Sequence, residues 1–110
     1  MNNYLDNIQK LTLENKNFRK VLFTGKHTQL VIMSLLPGEE IGLEIHPDTD
    51  QFFRIEQGQA KIIMDGQEFF AEDDYAIIIT AGTEHNVINA SETEVLKMYT
   101  LYSPPNHPEG

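Results

Sequence analysis

Glu44, His46, Gln51 and His85 are the residues of this chain whose types and spacing could do chemistry together. Glu44 and His46 stand two apart, so an extended backbone turns both to one face. Gln51 opens the next β-like run after the Pro47-Asp48-Thr49-Asp50 turn, and His85 arrives from the stretch 81–89. Imidazole nitrogen, carboxylate oxygen and amide oxygen are donors that hard and borderline divalent cations accept. Four protein ligands would leave one or two positions for water or substrate. The chain has no Cys, which excludes disulfides, thiolate metal sites and Cys nucleophiles and restricts any metal shell to nitrogen and oxygen. A His46-x4-Gln51 pair alone would read more simply as an isolated histidine and a solvated rim residue; the metal reading needs all four positions.

These side chains need strands to position them. β-rich runs are expected over 18–23, 29–36, 41–46, 51–56, 60–64, 67–70, 75–79, 85–89 and 94–102, with turn residues between them. Pro47 ends the 41–46 run, because proline has no N–H to give a ladder and holds His46 extended. Asp65-Gly66 is a two-residue hairpin signal. Four of the five residues in 75–79 are apolar, which predicts a strand buried on both faces. No 3.6-residue period persists, so the expectation is an all-β barrel or sandwich of the jelly-roll kind, with about nine or ten short strands. Residues 1–17 read as a polar N-terminal arm with about one helical turn, and 103–110 as a proline-rich C-terminal strap. One domain over 1–110 is expected, with roughly two-thirds of the unfolded surface buried.

The spacing Gly38-x5-Glu44-x-His46-x4-Gln51-x6-Gly58 resembles the first cupin motif, usually Gly-x5-His-x-His-x3-4-Glu-x6-Gly. Asp74-x5-Thr80-x-Gly82-x2-His85-x3-Asn89 resembles the second, usually Gly-x5-Pro-x-Gly-x2-His-x3-Asn. The resemblance implies a cupin barrel with one divalent ion held by Glu44, His46, Gln51 and His85. Glu44 stands where the first His would be and Gln51 where the Glu would be. The shell therefore keeps a formal charge of minus one while its imidazoles fall from three to two. Mn²⁺, Fe²⁺, Ni²⁺ and Zn²⁺ fit such a shell about equally. Asp74 replaces a glycine, which is tolerable because Asp enters left-handed backbone more readily than most residues.

The stretches 15–25, 46–58 and 102–108 resemble a bacterial cupin subgroup often labelled mannose-6-phosphate isomerase-like, whose members commonly run a little past the point where this chain stops. What the resemblance implies is metal-assisted proton transfer on a small hydroxy-carbonyl compound, a sugar or sugar acid. An iron-dependent dioxygenase and a non-catalytic small-molecule binding or sensing module are the alternatives. A homodimer is expected, from sheet edges that need covering, from Leu11 and Leu13 on the arm, and from the resemblance.

Eight basic against seventeen acidic residues give a net charge of −9. So acidic a chain repels phosphate backbones, which argues against a nucleic-acid partner. No apolar run approaches a membrane span, and the N-terminus lacks a basic region followed by an apolar one, so a soluble cytoplasmic protein is expected. Met33, Phe53 and Met98 are expected as pocket lining or core. Arg54 and Lys97 are expected as outward-facing charges or partners of Glu56 and Glu94. His27 reads as a solvated loop residue, and His107 falls outside both motifs.

Overall fold

The computed structural model describes residues 3–107; the end of the expected strap, 108–110, lies outside them. It contains one short helix and eight strands: α1 Ile8–Glu14, β1 Arg19–Thr24, β2 Gln29–Leu35, β3 Asp50–Gln57, β4 Gln59–Met64, β5 Gln67–Glu72, β6 Ala76–Ile79, β7 His85–Asn89 and β8 Leu96–Ser103. They form two antiparallel sheets, a five-stranded one in the order β1-β2-β8-β3-β6 and a three-stranded one in the order β5-β4-β7. This is a jelly-roll of two open sheets, where closure into a barrel was expected.

In an antiparallel pair, residues directly opposite share a face. The inner face of the larger sheet can therefore be followed in rows. Leu35 faces Leu96. Met33, Met98 and Ile55 make the next row, with Arg19 at its β1 end. Val31, Thr100 and Phe53 follow, then Gln29, Tyr102 and Gln51. All but Arg19 are buried, and the apolar members join Ile62, Val87 and Ala60 of the smaller sheet in one core.

Gly58 is the single residue between β3 in one sheet and β4 in the other. Its φ is +112°, and a Cβ there would lie 3.0 Å from Leu96 Cα and 3.0 Å from Val95 O, so glycine is required by both conformation and space. Asp65-Gly66 makes the expected turn, Met64 pairing with Gln67 across it. Asp74 takes the left-handed conformation at φ 73°.

Three expectations change. The run 41–46 is not a strand: it is held by isolated bridges, Glu40 to Ile88 and Glu44 to His85. Gly42, at φ +106°, interrupts extended backbone, and its N–H donates to Asn86 Oδ1 at 2.9 Å instead of to a ladder. Residues 75–79 are not buried on both faces. β6 is an edge strand, paired with β3 alone among the described residues, and Ile78 in it and Tyr75 just before it are exposed. Lys97 does not pair with Glu94; its ammonium is drawn inward onto Asn15 O, and burial lowers its pKa. Arg54 does pair with Glu56, at 3.8 Å, and more closely with Asp74, at 2.8 Å.

The N-terminal arm contains a seven-residue helix, longer than the turn expected. The Asn7 side chain caps it by accepting from Lys10 N. It packs against β8, β2 and β3, and Thr12, not Leu11 or Leu13, is the side chain it buries completely. Among the described residues no helix is long and apolar enough to cross a membrane.

Candidate metal centre

The segment 43–46 alternates with inverted polarity. Leu43 and Ile45 face outward, exposed by 63% and 53%, while Glu44 is half-buried and His46 buried. Turning apolar groups to water and polar ones inward costs free energy both ways unless the inward groups have partners. The bridge between Glu44 and His85 brings the other histidine alongside, with reciprocal N–H···O bonds of 2.8 and 2.9 Å. One ligand atom from each of Glu44, His46 and His85 lies within 4.8 Å of the other two. The imidazole centroids are 5.2 Å apart.

The unpaired atoms define the chemistry. His46 Nε2, His85 Nε2 and Gln51 Oε1 are buried with no hydrogen-bond partner. Each acceptor left so costs about 1–3 kcal/mol. In His85 and Gln51 the other polar atom is tied down. His85 Nδ1–H donates to Thr83 O at 2.9 Å, which places the free lone pair on Nε2. Gln51 Nε2 donates to Thr100 Oγ1 at 3.1 Å, which leaves its carbonyl oxygen free. Burial, outweighing the Glu44 carboxylate, pushes the His46 pKa down and keeps the ring neutral. The 3.7 Å approach of Glu44 Oε1 to His46 Nε2 is therefore not an ion pair. The two imidazoles and the Glu44 carboxylate are acceptors gathered without a donor, an arrangement that a divalent cation satisfies, and a set of imidazole and carboxylate ligands suits one.

The structure thus gathers Glu44, His46 and His85 into one cluster, and puts Gln51 across from Tyr102, whose ring meets His46 edge-on at 5.8 Å. Met33, Phe53 and Met98 are 0–1% exposed and belong to the apolar core beneath these groups. His27 is exposed.

Four neighbours, Arg19, Gln29, Tyr102 and His107, have no signature in either spaced motif. Gln29, fully buried, accepts from Asn106 N and His107 N at 3.1 and 2.9 Å and donates to His107 O at 2.7 Å, folding residues 106–107 back over the site. His107 Nε2 then meets Tyr102 OH at 2.9 Å. Burial pushes the Tyr102 phenol up to about 12 and the His107 imidazole down. Arg19 places a positive charge that acts on His46, Tyr102 and His107 alike. A separate cleft of about 400 Å³, lined by Gln59, Phe70, Glu72 and Tyr75 among others, shares no residue with this cluster.

The comparisons agree with this architecture. The chain is 51% identical over 113 residues to the uncharacterised protein YrkC of Bacillus subtilis (strain 168), covering 97% of this chain and 60% of that protein. It is 47% identical to the uncharacterised protein L612 of Acanthamoeba polyphaga mimivirus, over 97% of this chain and 69% of that one. The chain therefore spans about three-fifths of the length of the first of these relatives. The crystal structure of BH2720 from Bacillus halodurans superposes with a TM-score of 0.93 at 45% identity, covering 97% of this chain and 85% of that one. A family model described as a cupin domain matches residues 31–102, a span from β2 to β8 that includes every member of the cluster, and the chain belongs to the cupin family.

Proposed function

We propose that this cupin binds one divalent transition metal ion through Glu44, His46, His85 and Gln51 and acts on a small hydroxy-carbonyl compound, a sugar or sugar acid, by metal-assisted proton transfer. The observation that carries this reading is the gathering of Glu44, His46 and His85, whose ligand atoms lie within 4.8 Å of one another, with both histidine Nε2 atoms buried and unpartnered; the free, buried oxygen of Gln51 supports its place as the fourth ligand. Bound there, the ion would supply Lewis acidity toward carbonyl and hydroxyl oxygens. The chain's own groups divide the remaining work. Glu44 brings the negative charge of the set. Tyr102, held protonated, can only donate a hydrogen bond or accept one as a neutral hydroxyl, whereas His107, held neutral, is an imidazole outside the ligand set that can take a proton. Assignment to the mannose-6-phosphate isomerase-like subgroup and a homodimeric state are part of the same proposal. Exposed Leu36, Phe70 and Ile78 support the dimer.

The test is solvent exchange. Manganese- or zinc-loaded protein is incubated in D₂O with aldoses, ketoses and uronic acids, and the α-proton is followed by NMR. Exchange that needs the metal and disappears in His46→Ala supports proton transfer. Oxygen uptake by iron-loaded protein without exchange favours the dioxygenase, and a ligand that raises Tm but is never altered favours a binding module.

A further inference from the structure

Arg19 is a charged residue on a face otherwise given to the core. It opens β1, pairs with Met33, and so shares the inner face with Met33, Met98 and Ile55. Its Nε is buried and has no hydrogen-bond partner. Among the described residues no carboxylate lies within ion-pair distance of it, although the chain carries seventeen acidic residues against eight basic ones. The Phe18 ring lies 5.5 Å from Cζ and steadies the guanidinium from one side. The Arg19 side chain as a whole is half-buried, so part of the guanidinium stays open to a ligand while the buried Nε–H lacks an acceptor. Its charge reaches the proposed ligand His46 and the neighbouring Tyr102 and His107, and it is the one Lys or Arg side chain acting on those three.

We propose that Arg19 is the anion-binding residue of this site, and that the ligand carries a carboxylate at one end and hydroxyl or carbonyl oxygens at the other. The second half of this rests on the metal-centre reading above. A guanidinium fork matches a planar carboxylate in two parallel hydrogen bonds. Phosphate shares the anionic chemistry and can also take a guanidinium fork. The net charge of −9 repels anions at long range, so a carboxylate ligand needs a dedicated local cation. Among the hydroxy-carbonyl compounds considered above, the geometry thus selects sugar acids over neutral sugars.

The experiment measures dissociation constants of D-gluconate, D-sorbitol and inorganic phosphate by titration calorimetry, for manganese-loaded wild type, Arg19→Gln and Arg19→Lys. Gluconate should bind the wild type at least tenfold more tightly than sorbitol does. Arg19→Gln should lose that advantage, Arg19→Lys should keep part of it, and sorbitol should not distinguish the three. Equal gluconate affinity in wild type and a folded Arg19→Gln protein overturns the proposal, as does sorbitol binding as tightly as gluconate. Phosphate outcompeting gluconate overturns the carboxylate assignment. Manganese affinity is measured on the same samples with a chelating dye. A wild type that binds no manganese but shows Arg19-dependent gluconate binding defeats the metal reading alone, and a manganese-loaded protein indifferent to Arg19→Gln defeats this one alone. Should Arg19→Gln fail to fold, Arg19→Lys binding gluconate like wild type counts against fork recognition.

Discussion

The inner face of the five-stranded sheet has two ends that are equally buried and differently made. At one end Leu35, Leu96, Met33, Met98 and Ile55 pack into the apolar core, with Arg19 at its β1 margin. At the other, Gln29, Tyr102, Gln51 and Thr100 are no more than 1% exposed, yet each is polar. The difference is not one of satisfaction alone. Gln29 uses its whole amide, donating to Thr24 Oγ1 and His107 O and accepting two backbone N–H groups. Gln51, in the same row, uses only its nitrogen and keeps its oxygen free. The first amide ties the chain down. The second, like His46 and His85, leaves a buried acceptor without a partner. Burial at the apolar end stabilises the fold, and burial at the polar end is kept at the fold's expense.

The largest effect expected is in the apolar core between the two ends, where Phe53 packs. Phe53→Ala should cost about 3–5 kcal/mol of stability, measured as the shift in the urea midpoint, because a cavity is added to the lost transfer free energy. A cost under about 1 kcal/mol would mean that this row is not packed as described.

Gln51→Leu should do the reverse in metal-free protein. It removes an unsatisfied buried acceptor, breaks one hydrogen bond to Thr100, and should leave stability within about 1 kcal/mol of wild type, while divalent-metal affinity falls at least several-fold. A destabilisation as large as that of Phe53→Ala would show that Gln51 is structural.

The smallest effect is with pH. His46 and His107 have folded pKa values below the ordinary imidazole value of about 6.5. The unfolded chain therefore binds protons first on acidification. Their contribution is intact above about 6.5 and lost as pH falls through the depressed folded values. Metal-free protein should hold its Tm from pH 8 to 7 and lose more of it by pH 5 than a His46→Gln, His107→Gln double variant. Parallel curves for the two proteins would contradict the depressed values.

Much of this arrangement is legible in the sequence because much of it is local. The two-residue step from Glu44 to His46, the turn before Gln51 and the glycine at 58 are properties of short stretches, and the spaced motifs name the cluster before any fold is known. Three features escape for one physical reason. Whether 41–46 pairs as a strand, whether 75–79 is covered on both faces, and whether Arg19 and His107 reach the site all depend on which elements meet at long range. Gly42 shows its interruption only where Asn86 takes its N–H. The apolar run 76–79 becomes an edge only because β3 is its single partner. Arg19 looks like any strand-opening cation until register places it opposite Met33. His107 needs Gln29, seventy-eight positions away, to hold it.

The central claim is that Glu44, His46, His85 and Gln51 form a metal centre, and its most direct test is the divalent-ion affinity of wild type and Glu44→Gln by competition with a chelating dye, with far-ultraviolet dichroism to confirm folding. Glu44 carries the one formal charge of the set and should dominate the attraction. The account predicts one ion per chain in the wild type, an affinity lowered about 100-fold or more in Glu44→Gln, and a smaller loss in Gln51→Ala. Equal affinities for wild type and folded Glu44→Gln, or no ion bound by the wild type, would contradict it.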